Sequence, residues 1–282
     1  MIEHKILQVT NDTYEYEFAI ATLVTSREEY AVMKNSFIEC GFSDNCEYLI
    51  ADNVEKNSLD AYQAIAGFLK TNRAKYLMIV HQDVRCIDSR DDLLHCLQQL
   101  DLLDNNWAIC GNAGAYGYHN DMIHIQNNGK IVKSNNLPAR ANSLDENFLL
   151  IKTSTAITIS PDLTGFHLYG TDLAIVADFL GYSCYVIPFM VNHLSLGNLV
   201  ELKKQVPSFV SIYGHKLRNR YIQTPCTSFY LSNATWKNKL YNTRFIFFFV
   251  KALQRFNQAK QFLSHGRRYK KSIERIHQNP EA

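Results

Sequence analysis

The sequence has no apolar run long enough to cross a bilayer. Its most apolar stretch, residues 245–250, is six residues long, against the roughly 20 that a spanning helix needs. A membrane-spanning helix is thereby excluded. None of the seven cysteines (Cys40, Cys46, Cys86, Cys96, Cys110, Cys184 and Cys226) forms a C-x-x-C pair. An odd, scattered set argues for reduced thiols rather than a disulfide framework. The first thirty residues carry acids amid short apolar stretches, lacking the basic segment and long apolar core of a signal peptide. The expected location is cytoplasmic. Internal repeats and low-complexity linkers are also missing.

What remains is a chain of 282 residues, 46% hydrophobic, enough for one large α/β domain with an appendage. Its formal net charge of +2 conceals a division. Residues 201–282 hold 16 of the 29 Lys and Arg but only 3 of the 27 Asp and Glu, leaving 13 basic and 24 acidic residues before them. An acidic body thus carries a basic tail. Such asymmetry points to an anionic partner for the tail, with a membrane surface and nucleic acid as the candidates.

Short β-rich runs alternate with amphipathic helical patterns over the first two hundred residues, the signature of a mostly parallel sheet covered by helices. Residues 17–24 (EFAIATLV) read as the first strand, and Tyr30, Met33 and Phe37 mark one face of the next helix. Residues 46–50 form a second strand. Ser58 then caps a helix with Leu59, Tyr62, Ile65 and Leu69 as its buried stripe. Residues 76–80 (YLMIV) read as a strand buried on both faces, and Ser89 with Asp92 as a capping box. After a fourth strand at 107–110, the turn Asn127-Asn128-Gly129 and short strands at 130–133 and 148–151 add antiparallel pieces. Leu173, Val176, Ala177 and Leu180 mark a helix from Thr171 closed by Gly181, and residues 185–191 form the last strand. Beyond residue 200 the text is aromatic, basic and helix-like. The expected division is an α/β domain at 1–200 and a helical extension at 201–282.

Ligands of open α/β sheets sit outside the carboxyl ends of the strands. Those ends carry Thr25 and Ser26, Asp52 and Asn53, His81, Gln82 and Asp83, and Asn112. Polar residues after a strand also serve as caps and turns, so each alone has a structural explanation. His81-Gln82-Asp83 is the strongest signal, because it directly follows a wholly apolar strand.

The segment KYLMIVHQDV, with the upstream ADN and DAYQAI, resembles the glycosyltransferase-like members of the family-2 superfamily. The later stretch FHLYGTDLAIVADFLGYSCYVIPFMVNHLS is similar to that family's acceptor-side helix, final strand and closing His. The likeness spans about residues 17–197, with Gln63 where the family has Asn. It implies a GT-A-like, Rossmann-like α/β fold and transfer of a sugar, specifically a hexosyl group, from a nucleotide-diphosphate donor to a saccharide or lipid-linked acceptor in surface polysaccharide or glycolipid synthesis. A bound Mn²⁺ or Mg²⁺ would stabilise the departing diphosphate.

By this resemblance Asp83 stands at the second carboxylate of the family's DxD motif and is a metal ligand. His193 is the second ligand, and His81 replaces the first carboxylate. Asp52 would contact the base and favour uracil, its rival reading being an Asx turn. Thr25, Ser26, Asn53 and Gln82 complete the donor-binding set. The family's catalytic Glu-Asp pair falls here on Tyr169 and Gly170, which cannot act as bases in that way. Asp172 aligns with a later Asp and is the expected base, with Asp145 and Glu146 as alternates; its rival role is a helix-terminal acid facing the macrodipole.

The tail interleaves Trp236, Leu240, Tyr241, Phe245, Phe249 and Phe256 with Arg244, Lys251 and Arg255, a pattern suited to binding at the face of a membrane. Nucleic acid gives no reason for the closely spaced Phe245, Phe247, Phe248 and Phe249. Two other functions compete. A nucleotidyltransferase would want a Gly-rich basic loop after the first strand, where residues 25–29 (TSREE) supply one Arg. A non-catalytic sugar-nucleotide-binding or scaffold protein would explain the missing Glu-Asp pair.

Overall fold

The computed structural model describes residues 13–117, 120–195, 197–223, 228–243, 245, 246, 248, 249 and 252. The chain divides into two compact units, 1–212 and 213–282. Unit 1 opens with β1 (Tyr16–Val24), α1 (Arg27–Glu39), β2 (Cys46–Asp52), α2 (Ala61–Thr71) and β3 (Ala74–Val80). It continues through β4 (Val84–Cys86), α3 (Arg90–Leu103), β5 (Trp107–Gly111), β6 (Ala113–Ala115), β7 (Asp121–Asn127) and β8 (Lys130–Lys133). Then come β9 (Ala139–Ala141), β10 (Ser143–Leu144), β11 (Phe148–Lys152), α4 (Tyr169–Phe179), β12 (Ser183–Val186), β13 (Val191–His193) and α5 (Leu199–Lys216).

The main sheet has seven strands in the order β2-β1-β3-β11-β5-β12-β9. β2, β1, β3, β5 and β12 run in one direction, while β11 and β9 oppose their neighbours. This is the expected mixed, mostly parallel α/β sheet flanked by helices. Its central strands are buried on both faces, which explains why β3 and β5 read as unbroken apolar runs. Phe18, Tyr76 and Trp107 stack in succession through the core, and Met33 and Phe37 seat α1 on it. A second sheet, in the order β10-β6-β7-β13-β4, has β8 beside β7, so of the two expected antiparallel pieces β8 lies here and β11 in the main sheet. Asn128 and Gly129 turn the β7–β8 hairpin with positive φ, as the sequence indicates.

Four elements depart from the sequence reading. Helix α2 is capped by Asp60, not Ser58, in a reciprocal box with Gln63. Leu59 therefore precedes the helix, and the buried stripe is Ala61, Tyr62, Ala64, Ile65 and Phe68. Helix α4 starts at Tyr169 and buries Leu173, Ala174 and Ala177, leaving Leu180 exposed at the cap. The single strand expected at 185–191 is two, since Pro188 has no N–H to extend the ladder. Its first half stays in the main sheet and its second, β13, joins the other sheet.

Unit 2 adds a strand pair to the helical extension read from the sequence. An antiparallel pair, β14 (Arg220–Gln223) and β15 (Ser228–Leu231), sets Ile222 opposite Phe229 and precedes α6 (Thr235–Tyr241). Trp236, Phe245, Phe248 and Phe249 are exposed there, with the Lys237 ammonium over the Trp236 ring. Cys226, Arg244, Phe247, Lys251, Arg255 and Phe256 lie outside the described residues.

Candidate functional site

Two pairings bring distant residues to the carboxyl end of β3. Strand β4 begins one residue after Asp83 and pairs antiparallel with β13 so that His193 faces Val84. The Leu194 N–H donates to the Asp83 carbonyl at 3.1 Å, locking that register. His193 Nε2 thereby lies 3.5 Å from Asp83 Oδ2, and His81 Nδ1 lies 3.9 Å from Asp83 Oδ1. The ligand atoms of His81, Asp83 and His193 all fall within 4.8 Å of one another. They are close enough to converge on one ion.

The surrounding bonds suit that use. The Tyr169 hydroxyl donates its single proton to the Glu146 carbonyl at 3.1 Å. His81 Nε2, at 2.7 Å from the same oxygen, must then be the donor to it. The His81 proton thus sits on Nε2, and Nδ1 presents a lone pair toward Asp83, the outer-shell arrangement that orients metal-bound histidines. Desolvation in the crevice lowers the His81 pKa, outweighing the attraction of Asp83, so the imidazole is held neutral. Burial alone would raise the Asp83 carboxyl. Contacts with His193 and Ser195 instead hold it well below the usual carboxylate range. A neutral imidazole beside an ionised carboxylate fits a divalent cation.

The second pairing is antiparallel, β11 on β3, with Phe148 facing Val80. It sets the preceding loop against the same strand end, where the His81 N–H donates to the Asn147 carbonyl at 3.2 Å. Asp145 and Glu146 therefore arrive beside the histidines. Two cavities open here. One of about 660 Å³ is lined by Thr25, His81, Gln82, Asp83, Ser195 and Glu201, among others. The other, of about 320 Å³, is lined by Asp145, Glu146, Asn147, His193 and again His81. His167 borders both. Each is within the size range of small-molecule sites.

Of the residues expected at the site, His81, Gln82, Asp83, Thr25, His193, Asp145 and Glu146 come together. The Gln82 side chain ties β1 to β3: its Oε1 accepts the Thr25 and Ser26 N–H groups, and its Nε2 donates to Thr25 Oγ1. Ser26 itself caps α1, accepting the Glu29 N–H. Asp52 pairs with Arg27 and closes an Asx turn on the Val54 N–H, outside both cavity walls. The buried Asn53 side chain spans the 53–59 loop, holding the Ser58 and Leu59 N–H groups and the Leu59 carbonyl. Asp172 corrects the expectation most sharply. Its side chain is wholly buried, accepts the Ser160 N–H at 2.8 Å, and lines neither cavity. The crevice acids are the alternates.

Sequence reasoning missed His167, Tyr169 as a bonding group, Asn147 and Ser195. No spacing pattern links them to β3. The one readable hint is Gly170. A Cβ there would stand 2.5 Å from the Leu144 carbonyl oxygen, so only glycine lets α4 begin against the acidic loop.

No family model matches the chain. Among solved structures, Staphylococcus aureus TarS 1–349 in complex with UDP-GlcNAc aligns over 64% of this chain and 59% of its own length, with 11% identity and a TM-score of 0.43. S. aureus TarS aligns over 70% of this chain and 40% of its own length, with 10% identity and a TM-score of 0.43. The chain thus spans less than two thirds of either structure. A protein of Fuscovulum blasticum called ATP synthase subunits region ORF 6 is 33% identical over 185 residues, which cover 62% of this chain and 74% of that protein. With a third of the positions shared across three quarters of the relative, the chain belongs to the family of the Fuscovulum blasticum ORF 6 protein.

Proposed function

We propose that the protein is a metal-dependent glycosyltransferase, moving a sugar from a nucleoside-diphosphate donor, a uridine one in the first instance, to a saccharide or lipid-linked acceptor. The convergence of His81, Asp83 and His193 at the carboxyl end of β3 carries this reading. Bound there, a divalent ion would neutralise charge building on the departing diphosphate. Two imidazoles beside one carboxylate favour Mn²⁺ over Mg²⁺, which prefers oxygen throughout. The larger cavity suits the donor, since His81 and Asp83 line it together with Thr25 and Gln82. The smaller suits the acceptor, and its acidic loop supplies the negative charge that favours loss of a hydroxyl proton.

The test is a thermal-shift screen of nucleotide sugars with and without Mn²⁺. A ligand bound only by the folded state raises the melting temperature by mass action. The expected result is a shift that requires both partners. Sugar-nucleotide shifts of equal size with and without the metal would defeat the metal-dependent reading.

The second unit would attach this enzyme to an anionic membrane surface. Exposed aromatic rings beside lysines support that role, as does the excess of 16 basic over 3 acidic residues in 201–282. Among the described residues, no helix is long and apolar enough to cross a membrane.

A further inference from the structure

Glu146 and His167 form a pair that the metal cluster does not use. His167 Nδ1 lies 3.7 Å from Glu146 Oε2, and both side chains are largely buried, at 20% and 16% exposure. Each partner is fixed from behind. Burial raises the Glu146 pKa, against the contacts with His167 and with the Gly170 N–H at the start of α4, which favour the charged form. The Tyr169 hydroxyl holds the Glu146 carbonyl, and the Tyr62 hydroxyl donates to the His167 carbonyl at 3.0 Å. His167 borders both cavities.

We propose that His167 is a catalytic residue that takes the acceptor's proton through Nε2, with Glu146 as the positioning residue that holds the proton of the neutral ring on Nδ1. This rests on the transferase reading above. A carboxylate at Nδ1 selects the tautomer whose Nε2 lone pair is free, the logic of any carboxylate-backed imidazole base. The 3.7 Å contact is longer than a hydrogen bond, as catalytic contacts often are before substrate binds. In the step itself the acceptor oxygen forms a bond to the anomeric carbon as the bond from that carbon to the diphosphate oxygen breaks. The electron pair leaves with the nucleoside diphosphate. The acceptor proton moves to His167 Nε2 and is later released to water.

The charged groups acting on the ring are Glu146 and Glu201, with Asp145 acting in turn on Glu146, and the ring itself acts on His81. Contact with Glu146 raises the His167 pKa, against the effect of burial. A base works only when deprotonated, so turnover rises as pH climbs through this raised pKa and is lost below it. Glu146→Gln removes the charge and should shift this acid limb to lower pH.

The experiment uses the full chain with Mn²⁺ and follows UDP release from UDP-glucose, UDP-galactose and UDP-N-acetylglucosamine, water serving as acceptor. His167→Ala should lose roughly 10²–10⁴-fold in turnover, keep its affinity for UDP within a few-fold, and recover turnover on addition of imidazole. Histidine-labelled NMR supplies a measurement independent of turnover. Neutral His167 should carry its proton on Nδ1, and its pKa should fall in Glu146→Gln. No UDP release by the wild type from any of the three donors would overturn the transferase reading. Wild-type release that survives His167→Ala undiminished, a proton on Nε2, or a pKa unmoved in Glu146→Gln would overturn the His167 assignment alone. His167→Gln repeats the turnover arm if the alanine variant does not fold.

Discussion

At the scale of single residues the site depends on one carboxylate and one missing side chain. Asp83 carries the only formal negative charge among the three clustered ligands. Asp83→Asn keeps its shape and removes that charge, so Mn²⁺-dependent affinity for UDP should fall by about tenfold to a hundredfold, in line with 1.5–3 kcal/mol for a charge-assisted contact. Calorimetry with and without the metal reads this directly, and unchanged affinity would remove Asp83 from the donor site. Gly170 acts through space it leaves empty. Gly170→Ala drives a methyl group against the Leu144 carbonyl and crowds Glu146 Cγ, which should cost about 1–3 kcal/mol. Denaturant titration should show the lower midpoint. Asp83 was legible as a strand-end carboxylate because it follows a recognisable apolar strand, while His193 was read as a ligand only through the family resemblance. His167 was not legible, since a histidine in an irregular segment has no periodicity to betray which carboxylate it will meet.

Secondary structure was legible where local chemistry decides it. The Ser89–Asp92 box caps α3 as the sequence indicates, because both partners lie within one turn. Helix α2 shows the limit of that logic. Ser58 and Asp60 are both good caps, and the choice was made elsewhere: the Asn53 side chain accepts the Ser58 and Leu59 N–H groups, holding them in the loop. Asp60 also accepts the Gly165 N–H, joining the helix start to the loop that leads to His167. Asp60→Ala should therefore cost about 0.5–2 kcal/mol of stability. Ser58→Ala should change little, since its backbone N–H makes the bond to Asn53. Equal losses in the two variants, measured by thermal unfolding, would restore Ser58 as the cap. Strand β13 was absorbed into its predecessor because a continuous apolar run hides the break that Pro188 imposes.

On the scale of the whole molecule, charge is divided by segment, with 13 basic and 24 acidic residues in the first 200 and the reverse bias beyond. Each Lys or Arg near an anionic leaflet adds on the order of 1 kcal/mol, while aromatic burial adds an attraction that salt does not screen. The full chain should therefore sediment with anionic vesicles, weaken with added salt, and bind neutral vesicles poorly. A failure to pellet with anionic vesicles at low salt would leave the basic unit to another partner. The sequence by itself determined the α/β class, the order of the principal strands and the polar triplet after β3. All of these follow from hydrophobic period and from what must stand at a strand's end. Tertiary structure alone decided that His193 and the 145–147 loop meet that triplet, because strand register, set by long-range pairing of β13 with β4 and β11 with β3, leaves no trace in local spacing. The same pairing and the start of α4 put Asp172 in the core and Glu146 in the crevice, reversing the order in which the sequence ranks those acids.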